Sequence, residues 1–260
     1  MPIIQNGSYY VYHKNYKNRH KNRKFLPILL FFCVICAVFG TFYIFSRFNL
    51  VGALNINKCL IFEKKSYFAL SIFSGEREEV DSHQSFSKVN GAACYVYESD
   101  GKYYLIANIY SKKNDAEMVA EKLSDYQTEV LEIKLDNMIL SEDYTSKQLS
   151  TLKYVLGQVN RAYDCIFDVI TSFDRGEILE GEAKQKLQIF ANSCQGDREM
   201  LTNTFPSCCD NIIVYAKIFC NQTVSNISAT CLSTNFSSDS KLLLAQIIFN
   251  FLGLQKTVKK

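Results

Sequence analysis

Apolar and polar positions alternate with a period of two in a stretch that occurs twice, YFALSIFS (Tyr67–Ser74) and YLIANIYS (Tyr104–Ser111). Alternation in segments rich in aromatic and branched side chains predicts strands. In the first copy Phe68, Leu70 and Ile72 oppose Tyr67, Ala69, Ser71 and Phe73. In the second, Leu105, Ala107 and Ile109 oppose Tyr104, Ile106, Asn108 and Tyr110. A third strand is expected at Gly91–Tyr97. It leads into the second copy through Asp100-Gly101, a hairpin signal when it lies between two alternating runs. A fourth strand is expected at Thr128–Leu135, with Leu131, Ile133 and Leu135 on one face. Two polar segments between the strands predict helices. Glu76–Lys88 has Val80 and Phe86 as apolar anchors. Asn114–Tyr126 has a capping Asn114 and a stripe of Ala116, Val119, Ala120 and Leu123. The order β-α-β-β-α-β suits an α+β domain: a four-stranded antiparallel sheet with both helices on one face and the other face open.

From Ser141 the apolar spacing changes to three and four residues. Leu149, Leu152, Val155, Leu156, Val159, Tyr163, Ile166, Phe167 and Ile170 make one long stripe after a helix start at Ser141-Glu-Asp. Further helices are expected over Glu177–Cys194, reaching toward Phe205, from Cys208 into the 220s, and over Asp239–Leu252. The Ser-, Thr- and Asn-rich stretch Asn221–Ser240 carries no clear period. Residues 141–260 therefore read as an all-α helical domain following a sheet domain at 66–136.

At the other end, Phe25–Phe45 holds no charged side chain. As a helix it is roughly 31 Å long, matching a hydrocarbon core of about 30 Å. The run is longer than the apolar region of a signal peptide, and Tyr43, Phe45, Arg47 and Phe48 make a poor cleavage site. An uncleaved single-pass helix at 25–45 is expected, with linker 46–65 after it. Lys14, Lys17, Arg19, Lys21, Arg23 and Lys24 precede this run, and no acid occurs before Glu63. By the positive-inside rule the tail 1–24 stays in the cytoplasm, and everything after Arg47 lies outside, at the cell membrane.

The net charge of +3 is concentrated in that tail, which excludes a nucleic-acid footprint spread over a folded face. Cys33 and Cys36 lie in the membrane run. Cys59, Cys94, Cys165, Cys194, Cys208, Cys209, Cys220 and Cys231 follow it, and they read either as disulfides of an exported protein or as buried thiols. Asn-x-Ser/Thr triplets at Asn221, Asn226 and Asn235 fit chance in an Asn- and Ser-rich chain. His83 is the one histidine after the membrane run, and no HExxH, GxSxG or Walker A motif occurs. No catalytic residue, metal ligand or cofactor is expected, and the chain reads as a non-enzyme.

The open sheet face is then the candidate site. Tyr67, Phe73, Tyr104 and Tyr110 fall on it by parity, joined by Tyr95 and Tyr97, with Ser71 and Asn108 between the rings. Flat rings pack on sugar C–H faces while hydroxyls and amides meet ring oxygens. The alternative is that the C-terminal helices cover this face. The strand and helix order, the two similar halves and the run Gly91–Leu123, with Asp115-Ala116-Glu117 opening a helix, resemble a SPOR domain, the sporulation-related repeat of bacterial division and sporulation proteins. Ser71 stands where that family often has Gln, and Phe73 and Asn108 where it often has Gly. The resemblance implies a bacterial envelope protein whose open sheet face binds peptidoglycan glycan strands at the cell wall, with proteins of cell division or sporulation as further partners. A scaffold that binds another membrane protein through the helices or the sheet face is the second reading.

Overall fold

The structure, a computed structural model, describes residues 58–141, 144–207 and 210–258. The basic tail, the Phe25–Phe45 run, and Cys208 and Cys209 lie outside the described residues. Strands β1 (Lys58–Phe62) and β2 (Lys65–Gly75) come first, then helix α1 (Arg77–Val89) and the hairpin of β3 (Tyr95–Ser99) and β4 (Lys102–Tyr110). Helix α2 (Lys113–Lys122) and strands β5 (Glu129–Leu135) and β6 (Met138–Ser141) follow. β2 to β5 form one antiparallel sheet in the order β3-β4-β2-β5. That is the strand order of a split, ferredoxin-like β-α-β-β-α-β unit. The hairpin turn works because Asp100 (φ 53°) and Gly101 (φ 74°) both occupy the left-handed region that a type I′ turn requires.

β1 and β6 pair with each other as a separate antiparallel ribbon, although β1 falls in the stretch expected to be a linker. Short strands of mixed composition carry no strong period, and these two are held by their pairing and by packing such as Phe62 on Phe251, ring centroids 4.8 Å apart.

Five helices follow among the described residues: α3 (Ser146–Leu156), α4 (Gln158–Asp174), α5 (Glu180–Thr204), α6 (Asn211–Leu232) and α7 (Phe236–Val258). The start expected at Ser141 lies instead at Thr145, where Thr145 and Gln148 form a reciprocal capping box and Ser141 ends β6. The long stripe 149–170 is broken at Gly157, and Arg161 Nη1 donates to the Tyr154 carbonyl that the break leaves free (2.9 Å). A side chain at Gly157 would press on the Lys153 and Tyr154 carbonyl oxygens at 3.2 and 3.3 Å. The polar stretch after Asn221 remains helical as far as Leu232. Thr223, Ser228 and Thr230 donate their hydroxyls to the carbonyls of Phe219, Val224 and Asn226, one turn back.

Residues 58–260 pack as one compact unit, so the sheet and the helices share a core. No helix among the described residues is long and apolar enough to cross a membrane.

Two bulges set which way the central side chains point. Between the pairs Leu70↔Asn108 and Ser71↔Ile106, Ala107 is an extra residue on β4. Between Ser71↔Ile106 and Phe73↔Leu105, Ile72 is an extra residue on β2. An extra residue sends the side chains beyond it to the opposite face. Ile109 therefore joins the core under the C-terminal helices, Tyr110 turns toward α2, and Phe73 shares the α1 side with Ile72.

Candidate functional site

The eight residues expected on one open face, Tyr67, Ser71, Phe73, Tyr95, Tyr97, Tyr104, Asn108 and Tyr110, do not form one. The bulges remove Phe73 and Tyr110 to the helix side. There Phe73 lies on the His83 ring (4.1 Å between centroids) and Tyr110 meets the Phe167 ring edge-on at 6.0 Å. Asn108 spends its side-chain oxygen accepting from the Ile109 N–H (2.9 Å). Ser71 is buried and donates to the Phe73 carbonyl (2.7 Å), closing the local bulge rather than facing a ligand.

Tyr67, Tyr95, Tyr97 and Tyr104 do share a face, but the helices cover it. Tyr67 is 0% exposed. Its ring packs on Tyr163 of α4 at 4.7 Å, and its hydroxyl donates to Asn160 Oδ1 (2.9 Å). Burial pushes the Tyr67 and Tyr163 hydroxyls well above the usual phenol value, with the Asp164 carboxylate adding to the shift. Phe249 of α7 stacks on Tyr95 (4.7 Å, planes 1° apart) and on Tyr97 (4.5 Å, 28°). Tyr104 is buried in the same core, with Lys102 Nζ 5.2 Å from its ring centroid. The end of α7 is pinned to the sheet by Gln255, whose amide accepts from the Asp136 N–H (2.9 Å) and donates to the Asp136 carbonyl (2.8 Å). Ring faces that would stack on a sugar are thus occupied by protein rings. Sequence parity could not show this, because a ring that binds a ligand and a ring that binds a helix present the same alternation.

A second buried polar cluster lies inside the bundle. Arg161 Nη2 donates to Asp197 Oδ2 at 2.9 Å, with the Asp197 side chain nearly inaccessible. Burial raises the Asp197 carboxyl, and Arg161 opposes that rise. Cys220 donates its thiol to Gln158 Oε1 (3.3 Å). Burial pushes the Cys194 and Cys220 thiols up to about 12, which makes them inert side chains of the core. Cys59, Cys94, Cys165, Cys194, Cys220 and Cys231 are all free thiols. Among the described residues no group of three or more His, Cys, Asp or Glu side chains is placed to hold a metal ion. Nothing in this arrangement pairs a nucleophile with a base.

What remains open is the outer surface. Leu179 (82% exposed), Ile189 (63%) and Leu232 (85%) stand in solvent on the bundle, with Val214 and Ile218 less exposed on α6. Compared with known protein families, curated proteins and solved structures, the chain matches none.

Proposed function

We propose that residues 58–260 form a non-catalytic protein–protein interaction module, held at the cell membrane by the Phe25–Phe45 run with the folded unit outside. The observation that carries this reading is the consumption of the aromatic sheet face by α4 and α7, while apolar side chains stay exposed on the bundle. Apolar side chains in solvent are the raw material of partner contacts. A photo-crosslinking residue at Ile189 or Ile218 in the full chain, expressed in its own membrane, is expected to give discrete adducts. The same residue at Glu121 on α2 is expected to give none. Equal labelling at all three positions would remove the helical bundle as the contact surface.

Glycan-strand binding at the cell wall keeps one observation in its favour: β2 to β5 with α1 and α2 follow the β-α-β-β-α-β order on which the SPOR resemblance rests. On that reading α7 must leave the sheet before Tyr95, Tyr97 and Tyr104 can stack on sugar. Amidase-treated wall sacculi would then retain the full chain, and retain more of it in the Phe249→Ala variant. Absence of retention in both proteins ends this reading.

A further inference from the structure

The helix-covered side of the sheet is not packed as one core. Under α1, Val80 gathers with Ile72, Leu105 and Ala107; under α2, Ala116 gathers with Leu70 and Tyr110. At the seam between these clusters lies a cleft of about 170 Å³. Its floor is Leu70, Ile72 and Ala107, and α2 contributes Val119 and Leu123. The cleft exists because the residues that meet there are small: Ser87, Gly91, Ala92 and Ala107. Gly91 also needs its left-handed backbone (φ +81°) to turn the chain out of α1.

Ser87, Asn90, Tyr110, Tyr126 and Lys241 bring polar groups to the cleft. Ser87 is only 4% exposed, lines the cleft, and its hydroxyl has no hydrogen-bonding partner among the described residues. Its oxygen is reachable from the cleft, where a ligand atom can take the place of water as its hydrogen-bonding partner. Lys241, at the edge, is already saturated. Its ammonium pairs with Asp174 Oδ2 (2.7 Å) and donates to the Gly91 carbonyl and to Ser237 Oγ (3.0 Å each). Among the described residues that line the cleft Lys241 is the one cation, and with its charge neutralised by Asp174 it does not call for an anionic ligand.

We infer that this cleft is a binding site for a small neutral molecule, a single ring or short branched chain carrying one hydroxyl or amide that meets Ser87 Oγ. The size fits, since a cavity of roughly 150 Å³ lined by aliphatic side chains holds a benzene ring. The site lies on the sheet face opposite the one covered by α4 and α7, and its occupancy does not depend on the interaction module proposed above.

The probe is 4-fluorophenol, followed by fluorine NMR with the full chain in lipid nanodiscs and with empty nanodiscs as the blank. Saturable line broadening above the blank is expected. Ala107→Leu, which fills the floor, is expected to abolish it, and Ser87→Ala, which removes one oxygen and no wall, to weaken it about fivefold. No saturable broadening above the blank overturns the site. So does binding that is unchanged in Ser87→Ala, a variant that decides the matter even where Ala107→Leu does not fold.

Discussion

The two faces of the sheet are built from similar residues and end in different states. On the face toward α4 and α7, Tyr67, Ala69, Ile106 and Ile133 belong to one large cluster continuous with the bundle. On the face toward α1 and α2, the apolar side chains divide into two small clusters with a cleft between them. The first face is covered by long helices carrying large side chains, Tyr163 and Phe249 among them. The second is covered by two short helices carrying small ones. Aromatic rings stand on both faces, so the depth of burial follows from the length of the helices that cover each face, and the cleft lies under the short ones. Ring-bearing strands want a flat apolar partner, and a chain with enough helix to provide one uses it.

The largest expected contrast between the faces comes from truncating one ring on each. Phe249→Ala removes the ring on which Tyr95 and Tyr97 stack and is expected to cost about 3–5 kcal/mol in urea unfolding. Phe73→Ala removes a half-buried ring lying on exposed His83 and is expected to cost about 1 kcal/mol. Equal losses would mean that the two faces are packed alike.

Alkali sharpens the same comparison. Burial raises Cys94, on the α1 side, to about 11, and Cys194 and Cys220, in the bundle, to about 12. The unfolded chain sheds these protons near the ordinary thiol value. Their stabilising contribution is therefore complete below about pH 8.5 and is lost as pH rises toward the folded values. The slope is on the order of 1.4 kcal/mol per pH unit for each thiol. Melting temperature is expected to fall between pH 9 and 10.5, and to fall less steeply in each of Cys94→Ala, Cys194→Ala and Cys220→Ala, made singly, than in the parent chain. A slope left unchanged by one of these substitutions would mean that the fold does not hold that thiol protonated.

The smallest contrast concerns hydroxyls. Tyr67→Phe deletes the bond to Asn160 across the sheet–bundle seam and is expected to cost about 1 kcal/mol. Tyr126→Phe, at the half-exposed edge of the cleft, is expected to change stability by less than about 0.5 kcal/mol. Thermal unfolding of the two variants side by side checks both.

The strands at Tyr67–Ser74 and Tyr104–Ser111, the Asp100-Gly101 turn and the two helices around them were legible because each rests on local chemistry, alternation, turn geometry and apolar spacing, although Asn114 does not cap α2, which starts at Lys113 after Lys112 with no side-chain cap. The bundle helices were legible from their apolar spacing, apart from the Gly157 break and the reach of α6 to Leu232, where hydroxyls bond back to carbonyls one turn earlier. β1 and β6 were not legible, since neither is a strand without the other. The parity reading failed at Phe73 and Tyr110 of the candidate site and at Ile109 opposite it, because a bulge is a choice made between two strands and leaves no mark in the alternation of either.

By itself, then, the sequence determined the order of elements and the strand-to-strand logic of an α+β sheet, because nearest neighbours along the chain decide periodicity and turns. Only the tertiary structure decided which face those rings look at and what lies against them. A side chain's direction depends on register with a partner strand, and its burial depends on helices more than a hundred residues away, as Phe249 on Tyr95 shows.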